Sequence, residues 1–325
     1  MSHVRYLGLP VAVGAALLLS GALAQQSQQP AQPAKPAAPT PPPSPPPKAD
    51  PDAVKAFDKA LERFGPKQTG WLKTTIWQHL DVQGLTYGAE GVYLSGPNHR
   101  FRLDLKVRIG GTEGESQSIS DGQTVWQAIR IGDAPREVSK YVLKPILETL
   151  NAPGIAPQVR DGFFQEQMFT GVAPLLQNLQ QQLVFTKKEA NTWNGRQVLL
   201  LTGVWNVEMA KALGPNDRWR EFMPRKCVLF LDAQESWPLR LEWWGPAPPR
   251  PDDALLIQME FRDPTLVPAD AKTADDFLRN FTFNEKGQTV TDMTKNVTEE
   301  LRNRARQFAA QKKTSPPAPS APTPK

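Results

Sequence analysis

Residues 100–109 alternate more regularly than any other part of the chain. Phe101, Leu103, Leu105, Val107 and Ile109 fall on one side, and Arg100, Arg102, Asp104, Lys106 and Arg108 on the other. A period of two predicts a strand in a sheet with one face toward a core or cavity and the other in water. Runs at 71–80, 91–95, 116–120 and 124–131 predict neighbouring strands, and Asp121-Gly122 predicts a type I′ hairpin between the last two. A second set at 184–189, 197–205, 225–232, 238–244 and 255–262 also alternates or runs apolar.

Elsewhere the period changes to that of a helix. Val54, Phe57, Leu61 and Phe64 share a face behind Asp50 as N-cap and Pro51 as first helical residue, with Gly65-Pro66 as the stop. Segments 138–150, 159–169 and 171–183 read as helices or helical turns punctuated by Pro145, Pro153, Pro157 and Pro174. The second carries Phe163, Phe164, Met168 and Phe169. The third carries Val172, Leu175, Leu176, Leu179 and Leu183 at helical spacing. A short helix at 273–278 and a last one at 294–310 complete the series. The order is helix, strands, helices, strands, helix, and most strands are joined by short turns. That predicts an α+β, mainly antiparallel fold: a strongly curved sheet or unclosed β barrel covered by helices.

Both ends lie outside this pattern. Arg5, an apolar run at 11–19 and Ala22-Leu23-Ala24 have the form of a cleaved signal peptide over residues 1–24, with an uncleaved membrane anchor as the alternative. Residues 25–50 are rich in Gln, Ala and Pro, and residues 311–325 repeat that composition. Neither can bury apolar surface, so an extended, disordered linker and tail are expected around one domain at 51–310. Stretched out, the linker would reach roughly 80 Å at about 3.1 Å per residue. The expected location is the periplasm or another extracytoplasmic space.

A single cysteine, Cys227, leaves an exported chain without an internal disulfide. It lies in the apolar run Cys227-Val228-Leu229-Phe230-Leu231 and reads as a buried small hydrophobe. The net charge of +5 falls to +4 without Arg5, which suits weak attraction to an anionic membrane surface and is too dilute to suggest nucleic acid.

Three stretches resemble the LolA/LolB-type superfamily of periplasmic lipoprotein carriers and related outer-membrane lipoprotein-sorting proteins. Ser120-Asp121-Gly122-Gln123-Thr124-Val125-Trp126 is similar to that family's "DG…W" hairpin. Leu231-Asp232 followed by Trp237-Pro238-Leu239-Arg240-Leu241-Glu242 resembles its "LD…PLR.E" strand pair. Phe281-Thr282-Phe283 with Gly287, Val290, Asp292 and Thr294 resembles its closing segment. The resemblance implies an unclosed antiparallel barrel with helices as a lid over an apolar cavity that takes acyl chains. The insert at 143–183 and both tails depart from the family, and no cargo-gating residue maps onto this chain.

Catalysis needs converging titratable groups, and little here suggests them. His79 and His99 have no partner histidine at metal-binding spacing. Gly110-Gly111 lacks the lysine and helix of a phosphate loop and reads as a turn. The pairs Asp252-Asp253 and Asp275-Asp276 read as a solvated loop and a helix start. No enzymatic role and no cofactor are expected.

The expected site is apolar. Phe101, Leu103, Leu105, Trp126, Leu241 and Trp243 would line it from the strands, and Phe163, Phe164, Met168 and Leu176 from the covering helices. Trp243-Trp244 must put one ring on each face of its strand. The expected function is non-enzymatic binding of lipid or acylated protein cargo, with an envelope protein or the membrane surface as a further partner. The alternative is a cell-envelope structural or interaction module whose core is solid.

Overall fold

The computed structural model describes residues 46–65, 70–82, 85–155, 172–207, 224–247, 252–268 and 277–314. The expected signal peptide, nearly all of the proline-rich linker, most of the tail and the helix at 159–169 lie outside those residues. None of the described helices is long and apolar enough to cross a membrane.

The first helix, α1 (Pro51–Phe64), starts as its sequence dictates. The Asp50 carboxylate accepts from the Asp52 and Ala53 N–H groups, and Gly65 N–H returns to the Leu61 carbonyl. Eleven strands then follow in two runs. The first is β1 (Trp71–Val82), β2 (Leu85–Gly96), β3 (Arg100–Ile109), β4 (Thr112–Asp121), β5 (Thr124–Ile131) and β6 (Glu137–Val142). After α2 (Leu143–Leu150) and α3 (Val172–Gln182) come β7 (Leu183–Trp193), β8 (Arg196–Trp205), β9 (Lys226–Asp232), β10 (Pro238–Pro246) and β11 (Asp253–Val267). A short β12 (Val290–Asp292) and α4 (Thr294–Thr314) close the series.

All twelve strands form one sheet in the order β12-β6-β5-β4-β3-β2-β1-β11-β10-β9-β8-β7. The two runs are meanders joined where β1 pairs with β11. Every pairing is antiparallel except β12 with β6. The edge strands β12 and β7 do not meet, so the barrel is unclosed. Helices cover one face: α1 packs on α3, β7 and β8, and α4 packs on α2 and β6. Their buried residues join those of the strands in one contiguous apolar cluster.

Register explains which residues reach that cluster. Ile76, Gly91 and Leu105 stand opposite one another across β1, β2 and β3. Phe101, Ser120, Val125 and Tyr141 do so across β3 to β6. The charged partners of the β3 alternation point to the opposite face. Gly91 is needed where β2 and β3 draw close: a Cβ there would sit 1.8 Å from the Asp104 carbonyl oxygen. Because the obstacle is backbone, Gly91→Ala is expected to cost about 3 kcal/mol, the upper end of ordinary overpacking. A lower urea midpoint with unchanged m would show it; an unaltered midpoint would mean the strands yield freely.

Three local expectations need correction. Residues 138–142 are strand rather than helix: Tyr141 faces inward from β6 while Val138, opposite Ala128, is buried on the other face, and helix begins only at Leu143, with Pro145 in its first turn, where no N–H is missed. The Asp121-Gly122 turn is not type I′, since of loop residues 122 and 123 only Gly122 has positive φ, 93°. There the Asp121 carboxylate accepts from the Gln123 and Thr124 N–H groups. Two-residue turns with both φ positive are instead Gly110-Gly111, at 53° and 89°, and Asn194-Gly195, at 48° and 76°. Strand β11 also runs through Pro264. Its register shift opposite Lys73 to Thr75, with Asp263 at φ 52°, marks a bulge, where a residue without N–H is tolerated.

Residues 277–289 form a strap across the uncovered face. Phe281 packs on Trp71 and Leu94, and Arg102 donates to the Asn280 carbonyl at 3.1 Å. Phe283 stacks on Trp126 at 5.7 Å, whose Nε1–H donates to Glu285 at 2.7 Å. Lys140 faces the same carboxylate at 3.5 Å. A chain arriving over the face cannot pair by a hairpin, so β12 meets β6 in parallel. It then turns under Asp292, whose carboxylate accepts from Thr294 N–H, into α4 on the covered face.

Candidate functional site

The covered face is largely apolar, with Ser116, Ser118 and Ser120 of β4 among its polar positions and Lys188, paired with Asp52 of α1, at its β7 margin. Phe101, Leu103 and Leu105 of β3, Leu241 of β10 and Leu176 of α3 are buried in the one cluster. Trp243 is half-buried against it and stacks on Trp205 at 4.8 Å, while Trp205 Nε1–H donates to the Pro224 carbonyl at 2.6 Å. Phe57 of α1 lies 4.6 Å from Phe185 of β7, and Phe64 meets Trp237 edge-on at 4.9 Å. Burial pushes the Tyr93 phenol up to about 12, against a lowering hydrogen bond from Ser95. The Cys227 thiol is raised well above its ordinary value by burial and then by the nearby Glu242 carboxylate, which keeps it protonated and unreactive at neutral pH.

Six of the ten expected lining residues thus share this face. Trp126 does not. Its register partners are Ile119 and Lys140, so it stands on the opposite face beneath the strap. Phe163, Phe164 and Met168 lie outside the described residues. Trp243 and Trp244 do point to opposite faces: Trp244 Nε1–H donates to Glu242 at 2.8 Å, and the Lys226 ammonium lies 5.2 Å above its ring.

The opposite face holds two features that alternation alone did not single out. One is an open groove of about 590 Å³ across β1 to β5, bordered by Thr75, Asp104, Lys106, Gln117, Arg130 and Arg136. Its floor is already knitted together: Asp104 accepts from Arg102 at 2.5 Å and from Gln117 at 2.7 Å, and Gln117 accepts from Arg136 at 2.9 Å. The other is a charge network on β10 and β11. Arg240 lies between Glu242 and Glu260, and Arg262 also holds Glu260. Both carboxylates are buried. The guanidinium of Arg240 covers Trp193 and Phe230 at 5.9 and 5.6 Å, and that of Arg262 covers Trp77 at 5.5 Å. Arg-x-Glu in 240–242 and Glu-x-Arg in 260–262 were the readable signal, because residues two apart on adjacent strands share a face.

His79 lies 6.0 Å from Trp77 in a stack, and burial lowers the pKa of His99. Among the described residues, no three His, Cys, Asp or Glu side chains are grouped as metal ligands would be.

No protein-family model matches the chain, and no curated protein matches it. Solved structures do. One is MucB in complex with MucA(peri), at 14% identity and TM-score 0.29, covering 74% of this chain and 61% of that one, so less than two thirds of its length is spanned. LprF from Mycobacterium bovis matches at 9% identity and TM-score 0.33, covering 66% of this chain and 93% of that one. A LolA superfamily protein from Nitrosomonas europaea matches at 10% identity and TM-score 0.23, covering 71% and 97%.

Proposed function

We propose that this chain is an exported, non-enzymatic binding protein that holds lipid-like or acylated-protein cargo against the covered face of its unclosed barrel. The observation that carries this reading is the apolar face itself. A twelve-stranded sheet that does not close turns one largely apolar surface inward, and that surface is covered by separate helices rather than by a second sheet. Helix α1, which docks through Ala53, Phe57, Ala60 and Phe64 and through Asp50 on β7, is separate from the strand ladder, so acyl chain could take its place without breaking a strand pairing. Each methylene so buried contributes about 0.8 kcal/mol. Signal peptide, proline-rich tether and a single domain at 51–310 belong to the same reading: the tether would let the domain reach cargo or an envelope partner away from its point of attachment.

The rival reading, an envelope interaction module with a solid core, also has an observation in its favour. Phe101, Leu103 and Leu105 are already buried almost completely by the chain's own side chains. Bromine-labelled monoacylglycerol separates the two. If acyl chain enters the covered face, tryptophan emission is quenched on titration, and most of the quenching disappears in the double variant Trp205→Phe/Trp243→Phe. Quenching that persists in that variant would place the lipid against Trp237, elsewhere on the covered face, or against a tryptophan of the opposite face such as Trp77, Trp126 or Trp244. No quenching would leave the solid module.

A further inference from the structure

Two polar side chains buried beside the apolar cluster have carbonyl oxygens with no hydrogen-bond donor. Gln78 lies on the covered face of β1, between Ile76 and Leu80, opposite Ala89 of β2 and Met259 of β11. Asn178 lies on α3 among Leu175, Leu176 and Leu179. They are 6% and 5% exposed, and neither Gln78 Oε1 nor Asn178 Oδ1 has a hydrogen-bond partner. Three buried threonines of the described residues are satisfied. Thr74 donates to the Arg262 carbonyl at 2.7 Å, Thr149 to the Pro145 carbonyl at 2.8 Å, and Thr298 to the Lys295 carbonyl at 2.9 Å. A buried amide oxygen without a donor is destabilising, whereas Met at 78 or Leu at 178 would fill similar space without that penalty. Resting on the cargo-binding reading above, we infer that these two carboxamides are the polar contacts for the cargo, and that the site takes acyl chains together with an uncharged hydrogen-bonding linkage, a hydroxyl or an amide, beside the chain.

The chemistry of the face sets the ligand class. Binding sites of this kind are apolar with a few polar groups that fix orientation. Carboxamide oxygens accept, so the cargo must donate, which a glycerol hydroxyl or an acyl-amide N–H does. The described buried charges, Glu242 and Glu260, both lie on the opposite face with their arginines. An ionised head group brought in beside Gln78 or Asn178 would therefore lose water and gain no counter-ion. An acyl chain ending in an ionised carboxylate should bind worse than the same chain ending in glycerol.

The test uses the full chain and a pyrene-labelled monoacylglycerol, displaced either by unlabelled monoacylglycerol or by the fatty acid of equal chain length at a pH where it is ionised. The wild-type protein is expected to prefer the monoacylglycerol by about tenfold. In the double variant Gln78→Met/Asn178→Leu the preference should shrink to within about twofold. The melting temperature of the cargo-free variant should rise, which also shows that it is folded. A preference unchanged in the variant overturns this inference while leaving the binding reading intact. Failure of the wild-type protein to take up the pyrene probe at all overturns the binding reading, and this inference with it.

Discussion

Trp237→Ala should lower stability by about 4 kcal/mol, within the range for truncating a buried aromatic residue. The indole is nearly free of solvent contact at the turn between β9 and β10. It meets the Phe64 ring at 4.9 Å and 87°, and the Phe261 ring at 6.2 Å and 82°. Its Nε1–H donates to the Phe261 carbonyl at 3.2 Å. Phe64 is the last residue of α1, so this ring anchors the C-terminal end of that helix. The other end is tied to β7, where Asp50 N–H donates to the Phe185 carbonyl and the Asp50 carboxylate accepts from Lys188 N–H at 3.1 Å. Loss of Trp237 should thus free one end of α1 while leaving the other attached. In urea titrations followed by near-ultraviolet circular dichroism, the midpoint should fall sharply. Trp237→Phe, which keeps most of the ring contacts and loses the hydrogen bond, should fall by only about 1 kcal/mol. Equal losses in the two variants would show that the hydrogen bond, rather than the ring against Phe64, does the holding.

The sheet was legible because its signal is local. Ten residues of β3 alternate without exception, and the register of the meander carries that parity from strand to strand. Where the signal is not local, reading failed. Val138 and Tyr141 are three apart, a spacing that suits a helix face, and only pairing with β5 makes them strand. The outer half of β7 is too polar to read as buried strand, and it is extended because the Asn194-Gly195 turn, with φ of 48° and 76°, folds it against β8. The strap and the parallel β12 depend on contacts between residues more than a hundred positions apart, such as Trp126 with Glu285 and Arg102 with Asn280. No period in the sequence reports such contacts.

The site divides in the same way. Parity placed Phe101, Leu103, Leu105, Leu241 and Trp243 on one face, and the structure keeps them together. Trp126 was expected on the same face and is not there. Its neighbour Val125 takes the inward slot and is wholly buried, while the larger ring is covered from outside by Phe283. Sequence shows that a tryptophan needs cover, but not from which side. Gln78 was readable in principle, since it falls in the series 72, 74, 76, 78 and 80 that faces inward from β1. Only the absence of a partner for its oxygen, a fact of three dimensions, distinguishes it from an ordinary polar residue on a strand.

The charge network on the opposite face should prove structural, and Glu260→Ala should destabilise the protein by about 3 kcal/mol without altering cargo uptake. Removing one partner from a buried ion pair costs about 3–5 kcal/mol, because the other charge stays behind. Two features lower the figure here. Arg240 keeps Glu242 at 2.5 Å, and the Arg262 side chain is 48% exposed, so water takes over much of what Glu260 supplied. The carboxylate of Glu260 accepts from Arg240 at 3.0 Å, Gln258 at 2.9 Å, Arg262 Nε at 2.8 Å and Arg262 Nη2 at 2.5 Å, so its loss also releases four donor groups on three side chains. Those donors lock the guanidiniums over Trp193, Phe230 and Trp77, and the aromatic side chains should loosen with them. Glu260→Gln keeps the shape and two acceptor positions, so about half the loss should return. The decisive comparison is between a denaturant midpoint, which should drop, and bromine quenching of Trp243 by bound lipid, which should stay unchanged under conditions where the variant is folded. Quenching that fell in step with the charge change would mean that the two faces of the sheet are coupled, and that the network takes part in holding cargo.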